Sequence, residues 1–321
     1  MISGNSEQKM DIAQYTQYNE SFCRTCTFQI GKDAGFFSEY NNMILAMAYC
    51  LIHHVRFQIT SEGANFNPKQ GWNGFFIPFC QEVPNDGKHY KTADWRFALK
   101  RIGLHQDWHA ITSLLPYFTF WKRQMRTQDV FGKCRDRKSM DRYYSIQELD
   151  FKGNIQQLCA ELVRMTWKYN DDTREKIEEL IAPLNLPDRY IGMHIRGGDK
   201  FVEHEIEPIQ KYFSLVSDPT ISNVFVLTDD YTIIEQIKAT YPSWNVYTLC
   251  HENERGYFHD QFVNQPFESQ RLRLIKLFAS MEVLNRSLQF IGTFSSNPGM
   301  FMGMRNPSIC TGVDFDHWLI W

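Results

Sequence analysis

The chain has 321 residues, which suits two domains of about 150 residues better than one small core. Apolar residues make up 43% and charged residues 22%, values that exclude a wholly disordered, collagenous or coiled-coil chain. A formal net charge of −3 excludes the broad basic surface that nucleic acid requires, while an anionic small molecule needs only a local basic site. Aromatic residues reach 15%, which suits carbohydrate handling as well as a thick core; core packing is the commoner use.

The longest apolar run, residues 43–52, falls short of the ~20 residues that a membrane-spanning helix needs. Residues 1–10 are polar and lack the apolar stretch of a signal peptide. The expectation is a cytoplasmic chain, or a lumenal one if a targeting segment lies outside this sequence. Cys23 and Cys26 form a lone C-x-x-C with no second pair at zinc-ligand spacing, so a structural metal has weak support. Buried free thiols are the expected state of the eight cysteines, with a few disulfides as the alternative.

In chain order, residues 1–30 read as a polar lead-in. A glycine-containing loop at 31–35 precedes a helical pattern over 41–54 and a strand over 56–60. Residues 63–90 read as a long irregular insert, of the kind that is usually functional. The tryptophans and phenylalanines of 105–128 fit helical packing. A charged break over 132–143 marks an inter-domain region. Helices are predicted over 155–169 and 173–181, the second capped by Asp172 or Thr173 and closed by Pro183. Strands at 190–195, 224–228, 245–249 and 289–293 then alternate with helices at 208–216, 232–241 and 271–285. That alternation predicts an α/β fold whose C-terminal half is a doubly wound parallel sheet with right-handed crossovers. The expected division is a lead-in over 1–30, an N-terminal α/β domain over 31–140 and a C-terminal domain over 141–321.

Three strand ends carry chemistry. His194-Ile195-Arg196-Gly197-Gly198-Asp199-Lys200 follows the 190–195 strand: the glycines permit close backbone approach, Arg196 can fork onto a phosphate and Lys200 adds a point charge. The spacing is not that of a Walker A loop. Thr228-Asp229-Asp230 ends the next strand; its carboxylates could bind a metal, orient a ribose or cap the following helix. Thr293-Phe294-Ser295-Ser296-Asn297-Pro298-Gly299 places hydroxyls and amides at a helix start, a cradle for an anion. Ligands of doubly wound sheets bind at the carboxyl ends of strands, so the three segments are expected to converge on one crevice.

The segments GMHIRGGDKFVEHEIEPIQKYF (192–213), VFVLTDDYTIIEQIKATYPSWNVY (224–247) and FIGTFSSNPG (290–299) resemble, in order and spacing, the three motifs of the α1,6-fucosyltransferases, the family of the N-glycan core and rhizobial nodulation enzymes. AYCLIHHVRFQITSEGANFNPKQGWNGFFIP (48–78) is similar to that family's N-terminal helix, strand and Gly-Trp segment, so the resemblance spans roughly residues 35–305. It implies two Rossmann-like domains in a GT-B-like arrangement. It also implies GDP-fucose as donor substrate, no metal or other cofactor, and an N-terminal domain on the acceptor side. The implied acceptor is a GlcNAc-containing oligosaccharide or N-glycan core, and the implied location is the Golgi or secretory lumen if a targeting segment is missing.

The resemblance also implies roles. Arg196 binds the donor β-phosphate, with Lys200 beside it and Asp199 in the donor set; His194 lies beside the nucleotide. Ser295 and Ser296 donate to the diphosphate, while Asp229 and Asp230 support the donor site. Glu203 matches the family's base after a one-residue gap, with Glu205 as the fallback. Two positions depart from the pattern. Gly197 stands where the family usually has a second arginine, and Ser280 stands where a helix usually has an aspartate that reads the base, with Glu282 nearby. Losing a charge-assisted hydrogen bond of about 1.5–3 kcal/mol would weaken donor binding by roughly 10- to 100-fold. The alternatives are a transferase that uses another nucleotide sugar, or a catalytically weak glycan- or nucleotide-binding member.

Overall fold

The computed structural model describes residues 10–32, 34–89, 124–134, 137–197, 207–256 and 266–318. The chain divides into two compact units, residues 1–168 and 169–321. Each is an α/β unit built on a parallel sheet.

In the first unit, α1 (Ile12–Glu20) leads into β1 (Arg24–Gln29), followed by α2 (Phe36–Ile52) and β2 (Val55–Thr60). After β3 (Gln124–Arg126) come the antiparallel hairpin of β4 (Tyr143–Ile146) and β5 (Phe151–Asn154) and then α3 (Ile155–Thr166). The sheet runs β2-β1-β3, all parallel. The segment read from sequence as a polar lead-in thus supplies the central strand. Its signal is a short alternation, Cys26 and Phe28 inward with Thr25, Thr27 and Gln29 less buried between them, masked by its polar neighbours. The outer side of β2 is covered. Asn19 pairs with both main-chain groups of Phe57, donating at 2.8 Å and accepting at 2.7 Å, and Val83 donates to the Ile59 carbonyl at 2.9 Å.

The domain boundary lies after Lys168, where the sequence reading put it after residue 140. The reason is packing: α3 lies against α2, and Tyr40 of α2 bonds Thr166 at 2.8 Å. The aromatic richness goes into this core. Tyr40 stacks on Trp72 at 6.1 Å, Trp72 on Phe76 at 4.4 Å, and Phe76 meets Trp167 at 5.0 Å. The irregular insert therefore sends Ala64, Phe66, Phe75, Phe76 and Phe79 into the core, with Trp72 buried on a single turn, Gly71–Gly74.

The second unit begins with α4 (Asp171–Ile181), capped by Asn170, whose side chain accepts from Thr173 N; the sequence reading had given that cap to Asp172 or Thr173. Then follow β6 (Ile191–His194), α5 (Ile209–Ser214), β7 (Asn223–Leu227), α6 (Tyr231–Thr240), β8 (Asn245–Tyr247), α7 (Phe267–Arg286), β9 (Gln289–Gly292), α8 (Asn297–Arg305) and β10 (Cys310–Gly312). The parallel sheet has the order β10-β9-β6-β7-β8. The chain steps outward from β6 to β8, then returns to the other side of β6 for β9 and β10. The order therefore reverses at β6, the position where open α/β sheets form a crevice. Every residue of β6 is buried, which is why Ile191-Gly192-Met193 shows no polar alternation before His194 ends the strand.

All eight cysteines are free; Cys23 is exposed and Cys26 is buried in β1. No helix among the described residues is long and apolar enough to cross a membrane.

At the carboxyl end of the first sheet, His89 is only 2% exposed. Its Nδ1 lies 3.1 Å from the Thr127 hydroxyl and its Nε2 lies 3.4 Å from Asp86. Burial pushes the imidazole down to about 4, against Asp86, which favours the charged ring; Arg126 and Lys32 add to the fall and Asp129 opposes it. Because the folded ring resists protonation, its support of the fold is complete above the ordinary value of 6.5 and is lost as pH falls from there toward 4. Lowering the pH from 7.5 to 5 should cost on the order of 2 kcal/mol through this group. The check is the denaturation midpoint of the parent and of His89→Gln at both pH values. The variant should lose much of the pH dependence, and an unchanged dependence refutes the assignment.

Candidate functional site

The site in the second unit is built by register. His194, the last residue of β6, lies opposite Leu227 of β7 and Gly292 of β9. Ile195 extends the pairing by donating to the Leu227 carbonyl at 3.0 Å. The residues that follow each strand, Ile195-Arg196-Gly197, Thr228-Asp229-Asp230 and Thr293-Phe294-Ser295-Ser296, therefore emerge side by side at the carboxyl edge where the strand order reverses.

The two aspartates divide their roles. Asp229 Oδ1 accepts the Gly197 amide at 2.7 Å, tying the β6 loop to the β7 loop. Asp230 caps α6, its Oδ1 accepting from the Thr232 amide at 2.9 Å and hydroxyl at 2.8 Å. Among the described residues no group of three or more His, Cys, Asp or Glu side chains is arranged to hold a metal ion. Gly197 is there because of this close approach. A Cβ at that position would lie 2.9 Å from Asp230 Cβ and 3.5 Å from Asp229 Oδ1. The arginine that the resemblance leads one to expect has no room while Asp230 caps its helix.

At the end of β9, Asp314 was not singled out in the sequence. Its carboxylate accepts the Phe294 amide at 2.7 Å and the Ser295 amide at 3.0 Å. The expected anion cradle is corrected accordingly: these two amides serve an internal carboxylate. Ser296 caps α8, its hydroxyl donating to the Thr293 carbonyl at 2.7 Å and accepting the Gly299 amide at 3.2 Å. Its one proton is thereby used inside the protein. His194, 5% exposed, sets its Nδ1 3.3 Å from the Ser296 oxygen. Arg196 is half-buried. Asp199, Lys200, Glu203 and Glu205 lie outside the described residues.

The positions weighed for reading the base are occupied otherwise. Ser280 is buried and donates to the Lys276 carbonyl at 3.0 Å. Glu282 forms a forked pair with Arg305 at 2.9 and 2.8 Å and accepts from the Tyr169 hydroxyl at 2.9 Å, clamping α7 to α8. The signal that could have found Asp314 is its place two residues beyond β10, but the sequence Cys-Thr-Gly of that strand carries no apolar run.

No family model matches the chain, and no curated protein sequence matches it. Solved structures do. NodZ alpha-1,6-fucosyltransferase soaked with GDP-fucose is similar at a TM-score of 0.51 and 15% identity, over 88% of this chain and 93% of that one. Fucosyltransferase NodZ from Bradyrhizobium is similar at 0.51 and 14%, over 88% and 91%. A mutant of Arabidopsis thaliana FUT1 in complex with GDP is similar at 0.50 and 11%, over 91% and 73%. The chain thus has an α/β fold of parallel sheets shared with fucosyltransferases.

The close approach at Gly197 gives a direct test. Gly197→Ala should lower stability by roughly 1–3 kcal/mol through overpacking against Asp230. The denaturant midpoint reads this, and a midpoint equal to the parent's would mean that the β7 loop yields freely.

Proposed function

We propose that this protein is a glycosyltransferase that moves fucose from GDP-fucose to a GlcNAc-containing oligosaccharide or N-glycan core, with inversion and without a metal. The observation that carries the reading is the convergence of His194 and Arg196, Asp229 and Asp230, and Ser295 and Ser296 at the carboxyl edge where the strand order reverses. The shared fold supports it, since NodZ was solved with GDP-fucose and FUT1 with GDP.

The chemistry fits these residue types. Displacement at the anomeric carbon passes through an oxocarbenium-like state, as in glycoside hydrolysis. The leaving diphosphate gathers negative charge, which Arg196, Lys200 and the Ser295 hydroxyl are placed by this reading to stabilise. Glu203, or Glu205, takes the proton of the acceptor hydroxyl as the sugar is transferred. Asp199 belongs to the donor set, and the N-terminal unit serves the acceptor. Asp229 and Asp230 act by shaping the loops that carry Arg196, not by holding an ion.

A second reading, a transferase of another nucleotide sugar, is favoured by the side chains of α7, where Ser280 bonds back into its own helix and Glu282 is held by Arg305. Titration calorimetry with GDP, UDP and GDP-fucose, joined to donor turnover in excess EDTA, separates the readings. The first expects GDP and GDP-fucose to bind at least tenfold tighter than UDP, with turnover in EDTA at least half that in magnesium. Arg196→Ala should reduce turnover by 10²-fold or more, and Glu203→Gln should lower kcat by 10²–10⁴ with GDP affinity kept. Tighter UDP binding selects the second reading; tight GDP binding with no turnover makes the protein a binding member.

A further inference from the structure

We propose that Glu254 and Lys276 read the base of the donor and select guanine. The inference rests on the proposed function, in which the site takes a nucleoside diphosphate. Strand order gives the placement. In doubly wound sheets the phosphates lie at the end of the first strand and the ribose at an acidic residue ending the second. The base then falls one strand further out. Here those strands are β6, β7 with Asp229-Asp230 at its end, and β8, side by side in that order. Neighbouring strands lie about 4.8 Å apart, so β8 stands about 10 Å from β6.

The segment after β8 folds back over the end of β7. The Gly256 amide donates to the Asp229 carbonyl at 2.8 Å, and the Tyr231 amide to the Glu254 carbonyl at 3.0 Å. Between these bonds Arg255 and Asp230 form an antiparallel bridge. Asp229 thus holds the Gly197 loop through its side chain and the 254–256 segment through its carbonyl. From that segment the Glu254 carboxylate reaches the Lys276 ammonium of α7. The Cys250 thiol lies among the same charges. Burial pushes it up to about 12, Glu254 adds to the rise, Lys276 opposes it, and Asp229 and Asp230 add further.

Hydrogen-bonding capacity then selects the base. Glu254 Oε1 accepts from the Lys276 ammonium and from the His251 amide, the latter at 2.6 Å. Oε2 has no partner among the described residues, and its lone pairs can receive two hydrogens. The ammonium has three hydrogens and gives one to Glu254. Both side chains are partly exposed, 32% at Glu254 and 21% at Lys276, so the pair offers a ligand an acceptor beside a donor. Guanine presents O6, N1–H and an N2 amino group along one edge. O6 suits the ammonium, and the two N–H groups, which point the same way, converge on Oε2. Uracil presents O4, N3–H and O2, so its O2 would face the carboxylate. Adenine and cytosine would set an amino group against the ammonium.

Titration calorimetry with GDP, inosine diphosphate, UDP and inorganic pyrophosphate tests the assignment. Inosine diphosphate is GDP without the N2 amino group. The parent should bind GDP at least tenfold tighter than inosine diphosphate or UDP. In Glu254→Gln the amide oxygen stays with Lys276 and the NH₂ faces the base as a donor. This variant should weaken GDP tenfold or more, bring it within threefold of inosine diphosphate and leave pyrophosphate within twofold. Lys276→Met should weaken GDP and inosine diphosphate alike, because both carry O6. A parent that binds GDP and inosine diphosphate equally overturns the inference, as does a Glu254→Gln variant that keeps the parent's preference; in both cases the nucleotide reading stands. Equal losses for all four probes in Glu254→Gln also overturn it and make Glu254 a strut of its loop. A parent that prefers UDP overturns it and selects the second reading. A parent that binds none of the four removes the nucleotide reading, and this inference with it.

Discussion

The structure depends on how the ends of parallel strands satisfy their main-chain amides. Within a sheet an inward N–H has a neighbouring strand to bond; beyond the last paired residue it has none, and a buried N–H without a partner is costly. Carboxylates meet this need at three strand ends. Glu39 accepts the amides of Gly31, Lys32 and Ala34 after β1. Asp229 accepts that of Gly197 after β6, and Asp314 those of Phe294 and Ser295 after β9. Each bond is charge-assisted, so each loop is held more firmly than neutral turns would hold it.

This arrangement governs what a ligand meets. In each unit, amides that could have met a ligand's phosphate are bound to the protein's own carboxylates. On the proposed function, recognition of an anion in the second unit therefore rests on side chains more than on these amides. The same constraint explains Gly197. Asp229 can reach the loop amide only if the two loops nearly touch, and Asp230, kept beside it by its cap, leaves no space for a side chain there. A second arginine and this pair of loop contacts are alternatives.

Much of the second unit was legible in its sequence. Strands β6, β7 and β9 are short runs with apolar centres and a polar residue at one end, and their alternation with helices implies a parallel sheet. The cap at Asp230 was among the readings open to the sequence, because a cap is a local event. The first unit was harder to read. Strand β1 has two inward residues, Cys26 and Phe28, among polar ones, and only pairing with β2 and β3 on both sides makes it central. The boundary after residue 168 was hidden because α3 belongs to the first unit through its contact with α2, which no local pattern records.

The sequence by itself determined which residue types stand at the strand ends, because strand periodicity and turn chemistry are properties of a few neighbouring residues. Only the tertiary structure decided which of those groups face one another. Asp314 meets the amides of 294 and 295 from about twenty residues away because β10 is parallel to β9 and delivers it to the same edge. Ser296 meets His194 across 102 positions of chain because β9 lies beside β6. Register across a sheet is set by the packing of whole strands, and a one-residue slip would send every one of these side chains to the other face.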